Sequence, residues 1–111
     1  MPTYMFQSAY TEESLKTLAE RPEDRGQVVA TQIEKLGGRL IGFYHCFGEY
    51  YDAVTICELP DEVSAQALAV SVSAAGHNKA LKITRLTPVH EAMEVMRKAG
   101  SAPYYKPGVS H

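Results

Sequence analysis

The pattern of apolar and polar positions along the chain predicts four strands and four helices, the first two helices being parted only by a break near Pro22. Residues 3–9 are rich in aromatic and β-compatible side chains and read as a first strand. Thr11 follows, with Glu12 and Glu13 behind it. A hydroxyl that satisfies free N–H groups, ahead of an acidic first turn, marks a helix start. Leu15, Leu18 and Ala19 keep helical spacing until Pro22 interrupts it, and Glu23 and Asp24 restart it. Val28, Val29, Gln32, Ile33 and Leu36 then form the stripe of a longer amphipathic helix, closed by Gly37-Gly38. Residues 39–47 and 53–58 read as two strands joined by a turn over Gly48-Glu49-Tyr50-Tyr51-Asp52. Pro60-Asp61 opens a helix rich in Ala and Ser that ends at Gly76, and residues 80–86 are a fourth strand. Thr87 as N-cap and Pro88 at the first helical position start a last helix, with Val89, Ala92, Met93 and Met96 on its apolar face and Gly100 at its end.

The order β-α-β-β-α-β-α predicts an α+β, ferredoxin-like fold: an antiparallel sheet with helices on one face and an extra C-terminal helix. Right-handed crossovers place the first and third strands adjacent and, on this reading, parallel. Residues 1–100 form the domain and residues 101–111 a tail. Strand alternation puts Tyr4, Phe6, Ile41, Phe43, Val54, Ile56, Leu81 and Ile83 toward the helices. Met5, Gln7, Gly42, Tyr44, Cys46, Thr55, Cys57, Lys82 and Thr84 then face the other way. A face carrying Met5, Tyr44, Cys46 and Cys57 is too apolar for water, so a second copy of the chain is expected to cover it. Two sheets face to face make a barrel across a dimer, and a small-molecule pocket between them would be lined by Gln7, Tyr44, Thr55 and Lys82.

Six stretches also resemble a known family. Residues 4–11 (YMFQSAYT), 36–40 (LGGRL), 47–52 (FGEYYD) and 58–61 (ELPD), followed by SAQALA at 64–69 and KALKIT at 79–84, are similar to the GYD domain family of small bacterial proteins. The resemblance covers about residues 3–100. The family pattern Gly-x-Tyr-Asp meets one extra residue here, so the signature tyrosine is Tyr50 or Tyr51. The resemblance implies a ferredoxin-like protomer and a dimeric α/β barrel; it implies no particular activity.

Composition narrows the function classes. The 111 residues are 45% hydrophobic and 22% charged, ordinary for one folded domain. Eleven Lys and Arg against thirteen Asp and Glu give a net charge of −2, without the basic excess of a nucleic-acid binder. No apolar run reaches the ~18 residues of a membrane span, and no secretory signal pattern opens the chain, so a cytoplasmic protein without a membrane partner is expected.

The candidate chemistry is sparse. Tyr51 and Asp52 in the turn, with His45 nearby, are the candidate catalytic groups for cofactor-free proton transfer or oxygenation, against the plainer reading of Asp52 as a turn cap. His45 and His90 are placed at one end of the sheet and His77 at the other. No His pair stands at i, i+4 and no His-Glu-x-x-His occurs, so neither metal nor cofactor is expected. Cys46 and Cys57 fall about four residues out of register and are read as free thiols. The competing reading is a non-catalytic assembly or stress-associated protein. In it, the open face is only an interface, and Tyr104 and Tyr105 of the tail pack on a neighbouring subunit.

Overall fold

A computed structural model describes residues 1–109 of the chain. The elements run β1 (Thr3–Tyr10), α1 (Glu12–Glu20), α2 (Arg25–Lys35), β2 (Arg39–His45), β3 (Ala53–Glu58), α3 (Glu62–Ala74), β4 (Asn78–Leu86) and α4 (Val89–Gly100). The local signals act as read. Thr11 Oγ1 accepts from Ser14 N at 3.1 Å, and the carboxylates of Asp24 and Asp61 cap α2 and α3 in the same way. Gly37 closes α2 at φ +83°. Gly38 leaves no room for a side chain, since a Cβ would lie 2.1 Å from the Glu58 carbonyl oxygen. At α4, Pro88 takes the cap position without a side-chain bond, one residue later than the Thr87 cap expected.

The sheet has the order β2-β3-β1-β4, and every neighbouring pair is antiparallel. This is the ferredoxin-like α+β fold, with one correction: β1 and β3 are adjacent but antiparallel. The helices α1 and α2 return the chain so that β2 runs with β1, and the β2–β3 hairpin then reverses it.

The register corrects several facings. Tyr4 lies opposite Cys57 and Phe6 opposite Thr55, so Ala53, Thr55 and Cys57 share the helix side with the β1 aromatics. Val54 and Ile56 therefore turn to the open face, the reverse of what their size predicts. The reason is volume: Tyr4 and Phe6 already fill that layer, and their cross-strand partners must be small. Tyr4, Phe6, Cys57, Ile33, Leu59, Ala65 and Leu68 make the core. In β2, the register shifts between Leu40 and Gly42, and Ile41 is left 52% exposed instead of facing the helices. Past this irregularity, Gly42 and Tyr44 do share the open face, where a Cβ on Gly42 would meet the Tyr44 ring at 2.8 Å.

Cys46 and Cys57 are free thiols. Leu40 lies opposite Cys57. Burial pushes the Cys57 thiol pKa up to about 11, which keeps it protonated and inert near neutrality. Cys46 Sγ donates to the Tyr51 carbonyl at 2.9 Å.

The described chain is elongated. Its radius of gyration is 17.9 Å, against about 13 Å for a compact domain of this length. The helix α4 is one source, because none of its residues is buried. An ion pair from Arg85 Nη2 to Glu91 at 3.1 Å ties its first turn to β4. No helix or strand occurs in residues 101–109, and Tyr104 is 97% exposed. The tail's last two positions, Ser110 and His111, lie outside the described residues.

Candidate functional site

The helix side of the sheet holds a cavity of about 210 Å³. Its floor comes from β1 (Phe6, Ser8, Tyr10) with Thr55, Phe43 and Leu81 from the other three strands. Its walls are α2 (Val28, Val29, Gln32) and α3 (Leu68, Ser71, Val72). The two helices are bridged above it by Gln32 Nε2 donating to Ser71 Oγ at 3.2 Å. Small residues on β3 and the Ala- and Ser-rich face of α3 leave the space that larger side chains would fill. The body of the cavity is mostly apolar, interrupted by Ser8, Gln32, Thr55 and Ser71, and Tyr10, Arg25, His77 and Asn78 lie together at one end.

These four meet because β4 is antiparallel to β1 and begins where β1 ends. Thr11 N donates to the His77 carbonyl at 3.0 Å, and Tyr10 lies opposite Asn78. The rings of Tyr10 and His77 are 6.1 Å apart between centroids. Asn78 Nδ2 is 3.4 Å from His77 Nε2, a contact that fits Nε2 as acceptor and Nδ1 as the protonated nitrogen. Asn78 Oδ1 is buried and is the one side-chain oxygen or nitrogen of that kind without a partner among the described residues. Burial, reinforced by the Arg25 charge, holds the His77 pKa below its ordinary 6.5. Burial raises the Tyr10 phenol, with Arg25 opposing it. Near neutrality the site therefore presents a neutral imidazole, a neutral phenol and one guanidinium.

A depressed histidine pKa has a defined consequence for stability. The unfolded chain takes up the His77 proton near pH 6.5, while the folded chain resists it to lower pH. Below about pH 6.5 the unfolded state therefore binds more protons, and stability falls as pH drops. Thermal melts between about pH 7.5 and 5.5 are expected to show a falling midpoint, with a shallower fall in His77→Gln. Equal slopes in both proteins would contradict it.

The sequence-derived candidates lie elsewhere. Gln7, Tyr44 and Lys82 are on the open face, while Thr55 is on the helix side and lines the cavity, so the four do not share one face. Asp52 is 7% exposed, and its Oδ2 accepts from Tyr10 N at 2.8 Å. Its backbone N donates to Ser8 O, and its carbonyl accepts from Cys46 N. That is the structural role of a clamp between the hairpin and β1. The Tyr51 ring packs edge-on against Tyr50 at 5.0 Å. His45 is exposed and stacks on Phe47 at 4.7 Å.

The expected ends of the sheet are corrected as well. His45 and His77 flank the same residue, Tyr10, at one end, and His90 follows β4 at the other. The antiparallel direction of β4 decides this. Arg25, Asn78 and Tyr10 were not singled out from the sequence. A correct direction for β4 would have brought Tyr10 and Asn78 together, whereas nothing local marks Arg25. Among the described residues, no group of three or more His, Cys, Asp or Glu is placed to hold a metal ion. No helix there is long and apolar enough to cross a membrane.

The family model described as GYD domain matches residues 4–96. No curated protein matches the chain.

Proposed function

This chain belongs to the GYD domain family, and from that premise and the helix-side cavity we propose that it binds a small organic molecule between its sheet and helices α2 and α3. The observation that carries the reading is a partly open, largely apolar cavity with Tyr10, Arg25, His77 and Asn78 at one end, where the imidazole is neutral. The cavity is smaller than the ~300–1,000 Å³ of drug-sized sites, so its occupant is small. If the bound molecule reacts, His77 Nε2 is the proton acceptor the site supplies once it gives up its 3.4 Å contact with Asn78 Nδ2, and cofactor-free proton transfer is the reaction class that follows.

Amide NMR titration with a panel of small fragments tests the reading. Binders are expected to shift Phe6, Val29, Leu68 and Val72, and Val72→Phe is expected to abolish those shifts while keeping a folded spectrum. Shifts confined to Met5, Ile56 and Thr84 on the open face, or no binder at all, would overturn it.

A second reading is assembly through the open face, and it is favoured by two unpartnered apolar surfaces on one molecule. Met5, Val54, Ile56, Ile41 and Tyr44 are wholly or partly exposed on or beside the sheet face. Val89, Met93 and Met96, at i, i+4 and i+7, form an exposed stripe on α4. A second copy of this chain, offering α4 and the same sheet face, covers both. The two readings are compatible, because the cavity lies on the opposite side of the sheet.

A further inference from the structure

Resting on the reading that the helix-side cavity holds a small molecule, we propose that this molecule is a carboxylate with a short apolar tail, that Arg25 holds its acid group, and that Glu23 occupies Arg25 until it arrives. Among the described residues, Arg25 is the only Lys, Arg, Asp or Glu to line the inner cavity. It also lines the two flanking cavities of about 470 Å³. The side chain is 21% exposed and carries a fork of donors matched to a planar carboxylate.

One carboxylate is already in that position. Arg25 Nη1 donates to Glu23 Oε1 at 2.7 Å. Glu23 belongs to the short connection between α1 and α2, and its side chain is 54% exposed. An exposed ion pair of this kind contributes little to stability, so a second carboxylate exchanges for it at small cost. Glu13 and Glu23 are the acids that face Arg25 from the outer cavities, and neither lines the inner one. They disfavour anions at the mouth, but they leave the inner end to Arg25, the neutral His77 and the Tyr10 phenol. A ligand whose tail lies among Val28, Val29 and Phe43 meets the guanidinium with its head, where a charge-assisted pair forms in a partly dry setting.

Calorimetric or NMR titration with hexanoate, 1-hexanol and hexylamine tests the assignment on the full chain. Hexanoate is expected to bind most tightly. Arg25→Gln is expected to weaken hexanoate about tenfold or more, as loss of a charged hydrogen bond implies, and to leave 1-hexanol within about twofold. Arg25→Lys is expected to recover part of the loss, and Glu23→Gln to tighten hexanoate by removing the internal competitor. If 1-hexanol or hexylamine binds as tightly as hexanoate, or if Arg25→Gln weakens hexanoate and 1-hexanol equally, the head-group assignment falls and the cavity reading stands. Binding of none of the three at millimolar concentration would overturn both. An unchanged amide spectrum of each variant guards against mistaking unfolding for lost affinity.

Discussion

On the assembly reading proposed above, Met93→Glu combined with Met96→Glu is expected to leave the chain monomeric. Sedimentation of the full chain at micromolar concentration should give a dimer or larger species, and the double variant should give a monomer. Both side chains are exposed on α4, at 47% and 67%. In a monomeric protein such surface changes usually stay within about 0.5 kcal/mol. In an assembly that buries the α4 stripe, each lost side chain removes about 1.5–3 kcal/mol of apolar burial, before the cost of desolvating a carboxylate. Two of them weaken association by about 3–6 kcal/mol, or roughly a hundredfold to ten-thousandfold. A stable interface should also bury more than about 1,200 Å² in total, an area the open face and α4 must supply together. Helix content by circular dichroism should survive, since glutamate is a good helix former. A full chain that sediments as a clean monomer at every concentration would remove the assembly reading and leave the ligand-binding reading untouched.

Asp52→Ala is expected to destabilise the protein by about 1–3 kcal/mol, because it strands the buried Tyr10 N–H that Oδ2 now accepts. That is a large part of the ~5–15 kcal/mol of a typical domain, and it should lower the urea midpoint clearly. Asp52→Asn keeps an acceptor of nearly the same shape and should lose less. The order wild type, Asn, Ala in chemical stability identifies the side chain as a structural clamp. Equal stability of all three proteins would mean that the bond contributes nothing and would reopen the catalytic reading of this residue. The effect should also reach the cavity, since Tyr10 is the residue the clamp fixes and its ring lines the polar end.

Much of the fold was legible because its determinants are local. The periods of α2 and α4, the caps at Thr11 and Asp61 and the stop at Gly37-Gly38 act over a few residues, where sequence spacing is spatial spacing. The facing of β1 was legible too, because Tyr4 and Phe6 alternate with Met5 and Gln7. In β3 both parities carry apolar or small residues, and alternation alone cannot choose between Val54 with Ile56 and Ala53 with Cys57. Side-chain volume across the sheet made that choice, a property of two strands distant in sequence. The site was beyond local reading for the same reason. Tyr10, Arg25 and Asn78 come from three elements and His77 from the turn before β4, and only the antiparallel course of β4 and the seat of α2 over the sheet bring them to one cavity. Which segments are helix or strand, and where they stop, follows from hydrogen bonds and caps within a few residues. Strand direction, register and the polar end of the cavity were decided by packing between elements far apart in the chain, where the free energy depends on shape and volume that no short segment contains.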